Sequence, residues 1–172
     1  LNEAKLEELD GDELVYSQTT TGSANYVENL QRSVLAPAAL RIKKNSLVMA
    51  VKNSNDRRYA NGSIGRVIDF EPSTEYPVVE FLNGKVVTMQ PDSWELRDGD
   101  KKRASITQIP LRLAWAITIH KSQGLTFERA IVDAGKAFAP GQVYVALSRL
   151  RTLEGLVLKS KIVPGAIHTD PL

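Results

Sequence analysis

Apolar residues recur along this chain with a changing rhythm, and each rhythm predicts a different element. Leu6 and Leu9 form a stripe within residues 2–14, where Glu3, Glu7, Glu8, Asp10, Asp12 and Glu13 oppose Lys5. That pattern predicts a short helix ending near Gly11. Leu14, Val15 and Tyr16 predict a strand over 14–18, whereas residues 19–33, rich in Thr, Ser, Asn and Gly, have no sustained period. They are expected to be a loop with room for one helical turn. From Leu40 to Leu96, short apolar runs at 47–51, 64–70, 78–82 and 85–89 alternate with turn residues and predict strands. Asn83-Gly84 separates the last two runs; a type I′ turn needs positive φ at both central residues, so this pair predicts a tight hairpin. Asn61-Gly62 and Gly65 punctuate the earlier runs in a similar way. So many strands in so short a stretch predict a small barrel or meander.

Charged residues Asp98, Asp100, Lys101, Lys102 and Arg103 then predict a hinge. Residues 105–112 are expected to be extended, and the mostly apolar run 113–123 to be a strand or a helix ended by Gly124. Phe127 to Val132 reads as a strand buried on both faces. Val143, Leu147 and Leu150 share one helical face within 141–150, and Leu156 to Lys159 reads as a second buried strand. Strand, helix and strand make a βαβ unit, so the last third is expected to be α/β.

The composition narrows the function classes. At 172 residues and 42% hydrophobic, the chain has material for one sizeable core or two small ones. With no Cys and two His (His120 and His168), disulfides, thiolate nucleophiles and Cys-built zinc sites are excluded, and a His-built metal centre is not expected. A net charge of +2 does not announce a nucleic-acid binder, so local charge must carry that question. No apolar run approaches the roughly 18 residues of a membrane span and no basic-then-apolar leader opens the sequence, so a cytoplasmic protein without a membrane partner is expected. Opening at Leu1 and closing on a Pro-containing polar stretch, the chain is expected to be a piece of a larger protein.

Complete catalytic motifs are missing. Gly84-Lys85 and Gly135-Lys136 are followed by Val86 and Ala137, so neither forms a phosphate-cradling P-loop. Thr118 to Gly124 (TIHKSQG) gathers donors: Thr118, His120, Lys121, Ser122 and Gln123 offer hydroxyl, imidazole, ammonium and amide groups suited to phosphate oxygens. Composition alone favours a plainer reading, a polar loop with a solvated lysine. Gly141 to Arg151 (GQVYVALSRLR) is an amphipathic helix with Arg149 and Arg151 in its last turn. An arginine there offsets the helix dipole. Arg149 beside Ser148 also has the planar fork that neutralises a transferring phosphoryl group held by another domain, and spacing leaves both roles open. Between residues 41 and 66, Arg41, Lys43, Lys44, Lys52, Arg57, Arg58 and Arg66 against Asp56 give a local charge of +6. With Tyr59 nearby, that run suits a nucleic-acid backbone, with Arg57, Arg58 and Asn61 as candidate contacts; a solvated barrel face explains it equally well. Trp94 and Trp115 are expected in the core.

TIHKSQGLTF and GQVYVALSRLRTLEGL, in this order and about twenty residues apart, resemble motifs V and VI of the superfamily 1B DNA helicases, the RecD-like and Pif-like branch. VMAVKN followed by NGSIGRV is similar to the SH3-like insertion of those proteins. The resemblance implies an α/β fold: a partial RecA-like (P-loop NTPase-type) C-terminal motor domain over 1–40 and 104–172, with a small SH3-like β-barrel inserted over 41–103. It implies an ATP-dependent DNA helicase stepping 5′ to 3′, inactive as this piece because the ATP-gripping N-terminal RecA-like domain lies outside it. ATP and Mg²⁺ would be held mainly by that absent partner domain, and single-stranded DNA would be the second partner. By the same resemblance Arg149 is the arginine finger, Gln142 and Tyr144 help to wall the cleft, and Gln123 and Gly124 couple it to the strand. Thr118, His120, Lys121 and Ser122 meet the DNA. Motif IV would lie upstream of Leu1 together with a strand of the motor sheet, leaving an exposed edge prone to self-association. Two alternatives remain: a non-catalytic nucleic-acid-binding module, and the motor part of a conjugative relaxase or exonuclease subunit.

Overall fold

The computed structural model describes residues 1–133 and 141–162; Gly135-Lys136, His168 and the C-terminal polar stretch lie outside them. The chain divides into two compact units, Leu1–Ala116 and Ile117–Leu172. In the first unit the order is α1 (Asn2–Glu7), β1 (Leu14–Ser17), β2 (Thr19–Gly22), α2 (Ala24–Ser33), β3 (Ala39–Ile42), β4 (Leu47–Ala50), β5 (Ile64–Phe70), β6 (Pro77–Phe81), β7 (Val86–Thr88), β8 (Asp92–Asp98), β9 (Lys101–Gln108) and β10 (Leu111–Leu113). The strands form an antiparallel pair β1-β3, a five-stranded sheet in the order β10-β4-β5-β6-β7, and a three-stranded sheet β2-β9-β8.

Strand alternation explains the core. Val48 and Ala50 on β4, Val67 on β5, Val79 and Phe81 on β6, Val87 on β7 and Leu111 on β10 project to one face, where Leu40 and Ile42 of β3 and Met89 and Ile109 close the cluster. Each Val, Leu, Ile, Met or Phe side chain in it, taken out of water, contributes roughly 1.5–3 kcal/mol. Gly65, expected as punctuation, lies inside β5: a Cβ there would sit 2.6 Å from Val79 Cγ1 and 2.8 Å from Glu80 O, so its bareness lets β5 and β6 close up.

Several expectations are corrected. The five-stranded sheet is open, with β10 and β7 as its edges, so no closed barrel forms; β8, which would extend it past the short β7, pairs with β9 in a separate sheet. Residues 19–33 are not a loop. Strand β2, exposed at all four residues, is held by its backbone ladder to β9 from Thr19↔Thr107 to Gly22↔Ala104. Helix α2 buries only Leu30 fully, too thin a stripe to stand out among polar residues. The charged stretch at 98–103 is the tip of the β8–β9 hairpin, not a hinge: Asp98 pairs with Lys101 in the ladder, and Gly99 turns at φ +58°. Asn83-Gly84 does make a hairpin, but of the three-residue kind. Only Gly84 has positive φ (+78°), Gly84 N donates to Phe81 O (2.9 Å) and Phe81 N to Lys85 O (2.9 Å), which is a turn followed by a glycine bulge. Beyond β10 the expected strand or helix over 113–123 gives way to irregular chain: Ala114 N donates to Leu47 O, and the Asn2 side chain holds both backbone groups of Ala116 at 2.8 Å. Trp94 and Trp115 are half-buried, and the Trp94 ring carries Lys52 Nζ at 5.3 Å from its centroid.

The second unit holds β11 (Ala130–Val132), α3 (Gln142–Leu147) and β12 (Leu156–Leu158). The two strands are parallel, as the expected βαβ unit requires, and Val143 and Ala146 of α3 pack with Val132 of β11. The strands are not buried on both faces, however. Ile131 and its register partner Val157 are 72% and 57% exposed, because no described element lies over that side. The whole is an α/β chain, mostly sheet with few helices. Among the described residues no helix is long and apolar enough to cross a membrane.

Candidate nucleotide and nucleic-acid site

In the second unit, a single 3₁₀ turn at His120–Ser122 shapes the donor-rich segment. Ser122 N donates to Thr118 O (3.0 Å), Lys121 N to Thr118 Oγ1 (3.4 Å), and the buried Ser122 hydroxyl to Ile119 O (2.7 Å). Gly124, at φ +77°, then reverses the chain, a conformation that glycine adopts at little cost. Thr118, His120, Lys121, Gln123 and Gly124 are exposed around this turn.

Helix α3 carries the second segment. Its inner face is Val143 and Ala146; Tyr144 is 75% exposed and Gln142 is half-buried. The half-buried Arg149 lies just past the helix, with Nε donating to Val145 O (3.2 Å), Nη1 to Leu125 O (3.4 Å) and Nη2 to Ser148 Oγ (3.0 Å). A backbone seam joins the two segments: Phe127 N donates to Arg149 O (2.8 Å), Arg151 N donates to Phe127 O (3.0 Å), and Phe127 bridges Leu150 in parallel. Gly155 is the residue that sequence reasoning passed over here. A Cβ on it would lie 1.9 Å from Glu128 O, so only glycine lets the chain after Arg151 return against the seam. Its one sequence signal is its place at the end of the second segment.

Arg57, Arg58 and Asn61 belong to the first unit, on the loop between β4 and β5. The basic run around them is mostly engaged. Arg41 pairs with Glu13 (2.7 and 3.0 Å), holding that carboxyl below its ordinary range; Lys44 pairs with Asp69 (3.5 Å), and Lys52 with Asp92 (2.8 Å). Lys43 Nζ donates to Leu9 O and Arg66 Nη1 to Asn45 O. Arg58 Nε pairs with Asp56. Burial pushes the Asp56 carboxyl up, but hydrogen bonds from Ser54 and Arg58 outweigh it and the net direction is down. Asn61 N donates to Asn53 Oδ1 (2.8 Å). Arg57 is exposed at φ +58° and makes no ion pair among the described residues.

No protein-family model matches the chain. Among curated proteins, the ATP-dependent DNA helicase Pif1 of Psychrobacter sp. is 34% identical over an alignment that takes in all of this chain and 34% of the relative. The chain is homologous to the Pif1 helicases. Unliganded Pif1 from Bacteroides sp matches its fold at a TM-score of 0.83, with 34% identity over 98% of this chain and 39% of that one. Pif1 from Bacteroides in complex with ADP-AlF3 and ssDNA matches at 0.69, with the same identity and coverage. The superfamily 1B resemblance therefore extends over the whole chain, beyond the segments that first carried it. This Pif1 homologue spans about a third of the length of the Psychrobacter relative.

Proposed function

We propose that this chain is the C-terminal motor part of an ATP-dependent DNA helicase, in which it supplies an arginine finger and contacts to a single strand. The observation that carries the proposal is the placing of Arg149 in a chain homologous from end to end to Pif1 helicases. Its guanidinium is half-exposed, is framed by two backbone carbonyls and a hydroxyl, and makes no ion pair among the described residues. A fork with no carboxylate partner among the described residues is available to negative charge developing on a phosphoryl group.

In this reading residues 1–40 and 104–172 make up a RecA-like motor part and 41–103 an inserted β module of SH3-like ancestry. Gln142 and Tyr144 wall the cleft toward a nucleotide-binding domain outside this chain, and Gln123 and Gly124 couple that wall to the strand. Thr118, His120 and Lys121 touch the strand. Ser122, with its hydroxyl spent on Ile119 O, holds the turn in shape. The Bacteroides relative captured with ADP-AlF3 and ssDNA supports ATP and a single DNA strand as the ligands. Mg²⁺ is assigned, on the family resemblance, to the nucleotide and the domain that grips it. A 5′-to-3′ polarity follows from the family resemblance.

The test uses the longer protein. Arg149→Ala is expected to lower DNA-stimulated ATP turnover by roughly 10³- to 10⁵-fold with nucleotide affinity little changed. The 172-residue chain alone is expected to turn over none. Equal turnover by the Arg149→Ala variant and the unsubstituted protein removes the finger from the proposal.

A further inference from the structure

We infer that the recess between the β4–β5 loop and the β6–β7 turn takes one nucleotide of a single strand, with its phosphate on Arg57 and its base against the Asn55 amide. This rests on the nucleic-acid reading above and narrows it, because it separates Arg57 from the neighbours that share its charge.

The recess is an open space of about 470 Å³ lined by Asn53, Ser54, Asn55, Arg57, Tyr59 and Asn83 among others. That volume falls in the roughly 300–1,000 Å³ range of small-ligand sites. Its walls are fixed by hydrogen bonds among the lining residues and their neighbours. Ser54 N donates to Tyr59 O and Tyr59 N to Ser54 Oγ, both at 3.1 Å, Asn53 Oδ1 accepts from Asn61 N, and Asn83 Nδ2 donates to Arg58 O (3.1 Å). Underneath, the Tyr59 ring stacks on Phe81 with centroids 5.1 Å apart. Both ends of the Asn83 amide are thus engaged, the oxygen accepting from Lys85 N and the nitrogen donating to Arg58 O, and Arg58 is neutralised by Asp56. The guanidinium of Arg57 and the side-chain amide of Asn55 both line the recess, and neither has a partner among the described residues. A cation on the rim and an amide offering both a donor and an acceptor match the two ends of a nucleotide, its phosphate and its base edge. Arg57 also holds a left-handed backbone (φ +58°) that a side chain resists, and such a residue persists where its surroundings hold it in place.

Fluorescence anisotropy of the 172-residue chain with a labelled single-stranded oligonucleotide, and with an abasic strand of equal length, tests this across a salt series. Arg57→Gly is expected to weaken binding roughly 10-fold and to flatten the salt slope by about 0.7. Glycine suits the backbone at this position, so its melting temperature should equal or exceed that of the unsubstituted chain and unfolding is excluded as the cause. Asn55→Ala and the abasic strand should each lose roughly fivefold, the worth of one hydrogen bond, while Arg58→Gln stays within about twofold. The inference is overturned if Arg57→Gly or Asn55→Ala binds like the unsubstituted chain, if the abasic strand binds as tightly as the intact one, or if Arg58→Gln loses as much as Arg57→Gly. Absence of any strand binding overturns it too, and leaves the ATP-turnover test as the separate judge of the motor reading.

Discussion

Gly155→Ala adds one methyl group where the structure has no room for it. The new Cβ would lie 1.9 Å from Glu128 O, 3.0 Å from Glu128 C and 3.4 Å from Arg129 Cα. A carbon normally stays about 3.3 Å from a carbonyl oxygen, so the two backbones must part by about 1.4 Å. Both are main chain, so no rotamer relieves the contact. Overpacking of this kind costs roughly 3 kcal/mol, the top of the usual range, which at 1.36 kcal/mol per decade raises local opening roughly 100-fold. Phe127, next to Glu128, holds Arg149 O and Arg151 N, so the opening passes directly to the proposed finger. Both tryptophans lie in the first unit, so the probe is placed in the second unit itself. Amide hydrogen exchange of Phe127 and Arg151 is the assay. Gly124→Ala is the control, because Gly124 has positive φ but no atom within 4 Å of its Cβ, and should cost roughly 1 kcal/mol through backbone strain alone. Unchanged protection of Phe127 and Arg151 in Gly155→Ala would refute the steric argument.

Two further predictions concern pH. The Glu71 carboxylate accepts from the side-chain hydroxyls and backbone N–H groups of Thr74 and Ser73, which pull its pKa down to about 2 from an ordinary 4.5. With the folded value below the unfolded one, its stabilisation is fully present above about pH 4.5 and fades as pH falls through about 2; a carboxyl resonance titrating near 4.5 would disprove this. Burial, and after it the charge of Glu75, push the Tyr16 hydroxyl up to about 12 from 10, while that hydroxyl donates to Glu75 O. A raised value means stabilisation that is present below pH 10 and lost as pH rises through about 12. Tyr16→Phe should therefore delete the last phenolate step of an ultraviolet titration, and persistence of that step shows the assignment wrong.

What could be read from the sequence followed from how local each signal is. The β5, β6 and β7 runs and the Asn83-Gly84 turn are written in neighbouring residues and appear where expected, although the number of loop residues, set by how Phe81 meets Lys85, was not. Strand β2 was hidden because its partner β9 lies more than eighty residues away and its own side chains all face water. Barrel closure failed for a similar reason: β8 has a better partner in the eight-residue β9 than in β7. At the site, the order and spacing of two segments located the family, but not the seam through Phe127 that joins them. Nor does composition distinguish Arg57 from Arg58. That difference depends on which of two adjacent guanidiniums Asp56 captures, whereas the partners of Arg41, Lys44 and Lys52 are twenty-five or more residues distant.

The β8–β9 tip offers an experimental convenience. Residues 97–102 are exposed and the reversal at Gly99 is stitched together by the hairpin's own ladder, with Arg103 clasping Asp98 across it. Exposed tips of this sort accept insertions with little disturbance. A tetracysteine tag or a dye spliced between Gly99 and Asp100 in this cysteine-free chain would be the sole thiol-reactive address, giving single-molecule work an anchor that spares the residues assigned to strand and nucleotide.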